Sequence, residues 1–262
     1  MKSLAISIIS FITCINFLHA NVVVLNGLTH SYSGSAGQTF EGYILLANTS
    51  NEQQRVTFSL SEAIYSCEQE RVIGNDIDHK NSSSSWFESS VTDVTLSPKQ
   101  KYSFKYSITV PNDETLNGSY WTTLIVDLEK PIREEKVNNI ALGTKIRYAI
   151  RLLTDVNNKN EVAIDFKSIN LKLNPVNQKK QLDVKILNES PFIENVKLSL
   201  EVYDAYGNKV LGTKTKRAIV FPEVCRDFSI DVSGLPVGEY QCIVLADSDE
   251  EYIGTNISLT IK

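Results

Sequence analysis

Lys101-Tyr102-Ser103-Phe104-Lys105-Tyr106-Ser107-Ile108-Thr109-Val110 is the stretch that decides the fold. Tyr102, Phe104, Tyr106, Ile108 and Val110 share one parity, and Lys101, Ser103, Lys105 and Ser107 share the other. Side chains alternate across a strand with period two, so this is a strand with one face in a core and one in water. Pro98 and Pro111 punctuate its ends. The same reading extends both ways. Residues 22–25 form a short apolar run, and residues 40–48 and 56–64 alternate weakly. Further strands are expected near residues 161–173, 180–188, 195–203, 209–220, 225–232, 240–247 and 252–261. Asp204-Ala205-Tyr206-Gly207-Asn208 reads as a turn between two of them. No long stretch keeps a helical period. Short strands at this spacing indicate β-sandwiches.

The two halves repeat one pattern. Ser107-Ile108-Thr109-Val110 leads to Gly118-Ser119-Tyr120 and then an apolar strand; Ser229-Ile230-Asp231-Val232 leads to Gly238-Glu239-Tyr240 and another. A tyrosine at that place ties its hydroxyl back to the preceding turn in Ig-like sandwiches. The fold class expected is therefore all-β, with two tandem Ig-like β-sandwich domains after a signal peptide. The expected divisions are residues 1–20 as signal peptide, 21–155 as the N-terminal domain and 156–262 as the C-terminal domain, meeting in the polar stretch 154–161.

The leader is read from Lys2, the apolar run of residues 4–18, and Leu18-His19-Ala20 at the cut. Its removal leaves 242 residues and, with Lys2 gone, moves the formal charge from −5 to −6. That balance gives no footing for nucleic acid, and no later apolar run reaches spanning length. The expected location is periplasmic or extracellular, where disulfides form. Cys225 and Cys242 are candidates for a bridge across the second domain. Strand parity leaves that open, because Cys225 is out of step with Phe228, Ile230 and Val232; Cys67 is then the odd thiol, expected to be buried.

The chain reads as a binding protein and not an enzyme. His30 and His79 sit in no nucleophile or zinc motif, and there is no phosphate loop and no nucleophile elbow. Asn75-Asp76-Ile77-Asp78-His79 and Asp247-Ser248-Asp249-Glu250-Glu251 lack calcium-loop spacing and read as solvated loop charge. No metal or cofactor is implied. Five Asn-x-Ser/Thr sites, at Asn48, Asn81, Asn117, Asn188 and Asn256, carry no claim by themselves. Residues 67–90 and 130–139 read as long polar loops.

One segment narrows the reading. In Asn139-Ile140-Ala141-Leu142-Gly143-Thr144-Lys145-Ile146-Arg147-Tyr148-Ala149-Ile150-Arg151, apolar residues alternate with Lys145, Arg147 and Arg151. As the closing strand of the first domain it is a candidate edge, and an edge can add to a partner's sheet. Residues 140–147 resemble the last domain-one strand of the periplasmic chaperones of chaperone–usher pili, which follows a charged loop and carries an Ile-Ala-Leu-x-Thr-Lys-Ile-basic pattern. Leu96-Ser97-Pro98 and Gly118-Ser119-Tyr120-Trp121 stand in the same order as in that family. The resemblance implies that Ile140 and Leu142 fill the groove of an incomplete pilin-like subunit. It also implies that Arg147 binds the subunit's C-terminal carboxylate. This sequence departs from the family in offering Thr29 or His30 where the family has a first-strand Arg, and in ending Ile150-Arg151-Leu152. Thr95-Leu96-Ser97-Pro98 and Val202-Tyr203-Asp204-Ala205-Tyr206-Gly207-Asn208 also resemble WxL-interacting surface proteins. That resemblance implies an alternative role as a cell-surface adhesin or wall-binding module.

Overall fold

The computed structural model describes residues 21–67, 72–74, 78–129, 133–137, 140–159, 162–248 and 251–262, with 133–137 and 140–144 described as backbone only. The expected leader lies outside the described residues. The N-terminal half holds β1 (Val22–Val24), β2 (Thr29–Gly34), β3 (Thr39–Asn48), β4 (Gln54–Ile64), β5 (Val72–Gly74) and β6 (Phe87–Glu88). It continues through β7 (Asp93–Leu96), β8 (Lys101–Thr109), β9 (Gly118–Leu128), β10 (Arg133–Val137), β11 (Ile140–Thr144) and β12 (Arg147–Val156). The C-terminal half holds β13 (Ile164–Leu173), β14 (Lys180–Asn188), β15 (Glu194–Tyr203) and β16 (Lys209–Lys214). It closes with β17 (Ala218–Val220), β18 (Cys225–Asp231), β19 (Gly238–Asp247) and β20 (Tyr252–Ile261). A 3-10 turn at Ser84–Trp86 is the one helical element among the described residues.

Both halves are Ig-like sandwiches. In the first, the sheet β1-β3-β8-β6 packs on β2-β12-β9-β4-β5, with β7 added to β4. The alternation of β8 does what the sequence required. Phe104, Tyr106 and Ile108 are buried and their neighbours face outward. Phe104 stacks on Phe58 of the opposite sheet with centroids 3.9 Å apart. In the second sandwich β13-β14-β18 faces β16-β15-β19-β20, with β17 on β15. Leu182, Val184 and Ile186 of β14 meet Leu198, Leu200 and Val202 of β15 and Val244 of β19 in its core.

Several expectations are refined. The segment 209–220 is two strands, β16 and β17, pairing with different parts of β15. The tyrosine tie is present in the second half, where the Tyr240 hydroxyl donates to the Pro236 carbonyl at 3.0 Å. In the first half the Tyr120 ring instead packs on Trp86 at 4.7 Å. The expected turn at residues 204–208 is closed by Gly207 N–H donating to the Asp204 carbonyl, with Gly207 at φ +81°. The strand expected over 139–151 is broken at residues 145–146 into β11 and β12. Residues 67–90 are not all loop, since β5, the 3-10 turn and β6 fall within them, and β10 occupies much of 130–139.

The disulfide joins Cys67 to Cys225, with Cα atoms 4.5 Å apart; Cys242 is a free, buried thiol. The Cys225–Cys242 candidate is thus corrected. Cys242 points into the second core, at 2 % exposure, while Cys225 starts a strand beside the other sandwich. Asp247 is also not solvated loop charge, because it is buried and paired with Lys197 at 2.7 Å and Arg217 at 3.1 Å.

A second repeat emerges from two of the Asn-x-Ser sites. Asn48 ends β3 and Asn188 ends β14, and both are essentially fully buried. The Asn48 amide donates to the carbonyls of Glu52, Leu96 and Ser97, and its oxygen accepts from Ser50 N–H. The Asn188 amide donates to the carbonyls of Phe192 and Val220, and its oxygen accepts from Ser190 N–H. Each clasp joins a strand end to carbonyls of two other segments of its sandwich, some of them buried and in need of a partner. Asn48→Ala and Asn188→Ala should each cost about 2–4 kcal/mol, since several buried groups lose partners at once. Urea unfolding should show the loss. Hydrogen exchange should place it in the first sandwich for Asn48→Ala and in the second for Asn188→Ala.

Candidate functional site

The two sandwiches meet at an elbow built on aromatic side chains. Trp121 near the start of β9 donates its indole N–H to the Ala63 carbonyl of β4 at 2.8 Å. That bond sets the ring on the outer side of the sheet, away from the first core. There it meets Phe221 of the second sandwich edge-on at 4.8 Å, and Tyr65 stacks on Phe221 at 3.8 Å. Trp121, Leu153, Phe221 and Val224 form their own buried cluster, separate from both cores. Backbone contact is just as close. Ser119 N–H donates to the Pro191 carbonyl at 2.9 Å, and Ile193 N–H donates to the Ser119 hydroxyl at 2.7 Å. Ser119 in turn donates to Asp155, whose burial raises its carboxyl above the usual range against the lowering effect of Ser119 and Lys159. Gly118 sits at φ +110°, and a Cβ there would stand 2.5 Å from the Pro191 carbonyl oxygen.

Much of the segment between β4 and β6 acts as a strap across this elbow. Its first described residues carry Cys67 to the disulfide. Its second part returns with His79 stacked on Trp121 at 4.8 Å and Lys80 paired to Glu223 of the second sandwich at 2.6 Å. Glu62 holds this part down. One carboxylate oxygen meets His79 Nε2 at 3.0 Å, and the other accepts from Ser82 at 2.7 Å and Thr122 at 3.3 Å. Burial pushes the Glu62 carboxyl up, but bonds from His79, Ser82 and Ser84 and the His79 charge outweigh it and hold it below the ordinary value. Polar residues in the long 67–90 stretch are thus partly explained as anchors to a buried carboxylate.

Between the strap and the second sandwich lies a cleft of about 550 Å³ whose walls include Tyr65, Ser66, Arg151, Phe221, Cys225 and Arg226. It is basic. Arg217 lines it too, tied to the Asn195 carbonyl and to Asp247. Arg151 donates to the Thr29 hydroxyl at 3.2 Å, and among the described residues neither it nor Arg226 has a carboxylate partner. A smaller groove of about 320 Å³ continues from Arg151 along β12 to Arg147, lined also by Leu28, Ala63, Ile73, Thr123 and Ala149.

Arg147 begins β12 directly opposite Asp127 of β9, with Nε and Nη2 bonded to the two carboxylate oxygens at 2.7 and 2.8 Å. Its side chain is 66 % exposed. Arg151 is four residues further along, so period two puts it on the same face roughly 13 Å away. Ile140 and Leu142 lie on β11, opposite Val137 and Glu135 of β10; their side chains are outside the described residues. The sequence reading passed over Arg151 as a site residue, although its i+4 spacing from Arg147 was visible. Trp121 and Phe221 gave no such signal, because nothing in the order of residues links positions a hundred apart.

β12 itself is asymmetric. It pairs with β9 over its whole length but with β2 only from Arg151 to Val156. Among the described residues no strand covers the other side of residues 147–150.

No protein-family model matches the chain, and no curated protein matches it. Among solved structures it resembles fimbrial chaperones. The class 5 fimbriae chaperone CfaA is 14 % identical, with TM-score 0.49 over 92 % of this chain and 100 % of that one. The chaperone–tip adhesion subunit pre-assembly complex CsuC–CsuE of archaic Csu pili from Acinetobacter baumannii gives 12 % identity and TM-score 0.47, over 91 % and 98 %. The E. coli chaperone DraB gives 14 % and 0.41, over 91 % and 98 %. These are likenesses of strand arrangement; what this chain binds is argued from its own residues.

A carboxyl held low in the folded chain lends stability above its unfolded pKa of about 4.3, lost as pH falls through the folded value. Wild-type protein should therefore lose part of its melting temperature below about pH 4.3 as Glu62 is protonated. Glu62→Gln should melt lower at pH 7 and show a flatter decline toward pH 3. Thermal melts across that pH range read both effects.

Proposed function

We propose that this chain is an extracytoplasmic protein-binding factor that caps or delivers a pilin-like subunit by strand pairing along β11 and the start of β12. The observation that carries this reading is the uncovered edge of β12 at residues 147–150, leading from the β10–β11 arm into a basic cleft. Unpaired backbone N–H and C=O groups on an edge are a template for another strand, and proteins that keep such an edge open use it. Ile140 and Leu142 share one parity of β11, as two donor side chains entering the same groove must.

The cleft supports a role for a terminal carboxylate. Arginine meets a carboxylate in a planar, two-bond geometry. Arg147 already holds Asp127 in that way, so a subunit tail at Arg147 competes with Asp127. Arg151, half-buried and without a carboxylate partner among the described residues, is the second base on the same face, and it donates to Thr29, one of the two residues offered where the resembling family has arginine. We assign Arg147 to the rim and Arg151 to the depth of this binding track. The leader read at residues 1–20 supports a location in the periplasm or outside the cell.

The test is capture of partners from the source cell's envelope by the mature protein, with bound proteins identified by mass. The expected result is a small β-rich subunit in stoichiometric amount, lost with Ile140→Asp plus Leu142→Asp while the melting temperature stays near wild type. Arg151→Ala should weaken capture at least tenfold, about 1.4 kcal/mol or more, and Arg147→Ala should weaken it less. Recovery of wall material or a host ligand, unaffected by the β11 substitutions, overturns the reading and moves the protein to the adhesin class.

A further inference from the structure

The Cys67–Cys225 bridge joins two sandwiches whose cores do not include it. The first core runs through Phe104, Leu124 and Ile150 and the second through Leu182, Leu198 and Val244. The elbow between them is much smaller, with Trp121, Leu153, Phe221 and Val224 as its buried apolar members. Sandwiches meeting over so small an apolar surface are expected to move relative to one another unless something else holds them. The Lys80–Glu223 pair is exposed at both ends and adds little. The bridge is the one covalent link between the halves among the described residues, apart from the chain itself.

Its position gives it leverage over the cleft. Tyr65 and Ser66, the two residues before Cys67, line one wall, and Cys225 and Arg226 line the other. Only two residues separate Cys67 from the end of β4, so the bond fixes the Tyr65–Phe221 stack beside it. Both bridged cysteines are partly exposed, and Cys225 lines the cleft. The third thiol does not interfere. Cys242 is buried in the second core, and burial raises it above the ordinary thiol range, leaving little thiolate to attack the bridge.

We propose that Cys67–Cys225 is a redox latch on the elbow. Oxidised, it holds the strap wall of the cleft against the wall formed by residues 221–226. Reduced by a dithiol, it lets the cleft open while both sandwiches stay folded. The chemistry is a two-electron exchange. A thiolate of the dithiol attacks one bridge sulfur, forming a mixed disulfide and expelling the other sulfur as a thiolate, which takes up a proton. The dithiol's second thiol then resolves the mixed disulfide, leaving Cys67 and Cys225 as thiols and the reductant as a cyclic disulfide. The proposal stands on the elbow alone and does not require that the captured partner be a subunit.

The experiment compares the mature protein as purified with the same protein reduced by dithiothreitol and alkylated with iodoacetamide. Hydrogen exchange is followed at Ser119 and Ile193, whose N–H bonds cross the elbow, and at Ser83 and Trp121, whose N–H bonds hold the strap. We expect exchange at these four amides to accelerate by at least about tenfold on reduction, as local opening does. The amides of β8 and β15 and the far-ultraviolet circular dichroism should not change. The Cys67→Ser, Cys225→Ser double variant should match the reduced protein without any reagent. Unchanged exchange at the four amides overturns the proposal, since the aromatic cluster then holds the elbow unaided. Loss of protection in β8 or β15 along with them also overturns it, since the bridge is then a staple for folding and not a latch.

Discussion

The rest of the molecule depends on how far β2 reaches along β12. The chain enters the first sandwich as β1, paired with β3 in one sheet, then crosses and runs as β2, parallel to β12, in the other. The crossing consumes residues 25–28, so β2 can begin only at Thr29 and can cover β12 only from Arg151 onward. Among the described residues, the backbone of β12 before that point pairs on the β9 side alone. An open edge is ordinarily a hazard that proteins blunt. Here it stands between a two-stranded arm and a basic cleft, and the outward side chains next to it, Arg147 and Ala149, leave room for another chain.

The second determinant is that the outer face of the same sheet also makes the elbow. Trp121 is anchored through its indole N–H, so its ring is fixed before anything packs on it. Phe221 and Tyr65 then complete a three-ring cluster, and the Glu62 carboxylate, tied to His79 and Ser82, fixes the strap that covers it. Buried polar networks are costly when half-satisfied. This one is nearly complete, with His79 Nδ1 left without a partner.

How much of this the sequence disclosed follows from the range over which each signal acts. The alternation of residues 101–110, the turn at 204–208 and the strands over 180–188 and 252–261 depend on neighbours a few positions apart, and they are where the reading put them. The break between β11 and β12 was hidden because apolar parity continues through Ile146. The cysteine pairing, the Trp121–Phe221 contact and the partners of Asp247 are tertiary, and local periodicity carries no trace of them. Asn48 and Asn188 are an intermediate case. Their Asn-x-Ser pattern was visible twice, but only burial shows that both are clasps. Arg147 was singled out by resemblance, and its bidentate partner Asp127 depends on register across twenty residues.

The 158-residue separation of the two bridged cysteines has a consequence for how the protein is made. The first sandwich is complete once Val156 is available, yet the ring that covers Trp121 is Phe221, further along the chain. At about 5–20 residues per second, the nascent first sandwich spends several seconds with the side of that indole facing Phe221 open and Cys67 unpaired. Synthesis therefore passes through a stage in which a folded module displays an apolar patch and a lone thiol side by side. During that interval the unfinished chain has to be kept from associating through that patch.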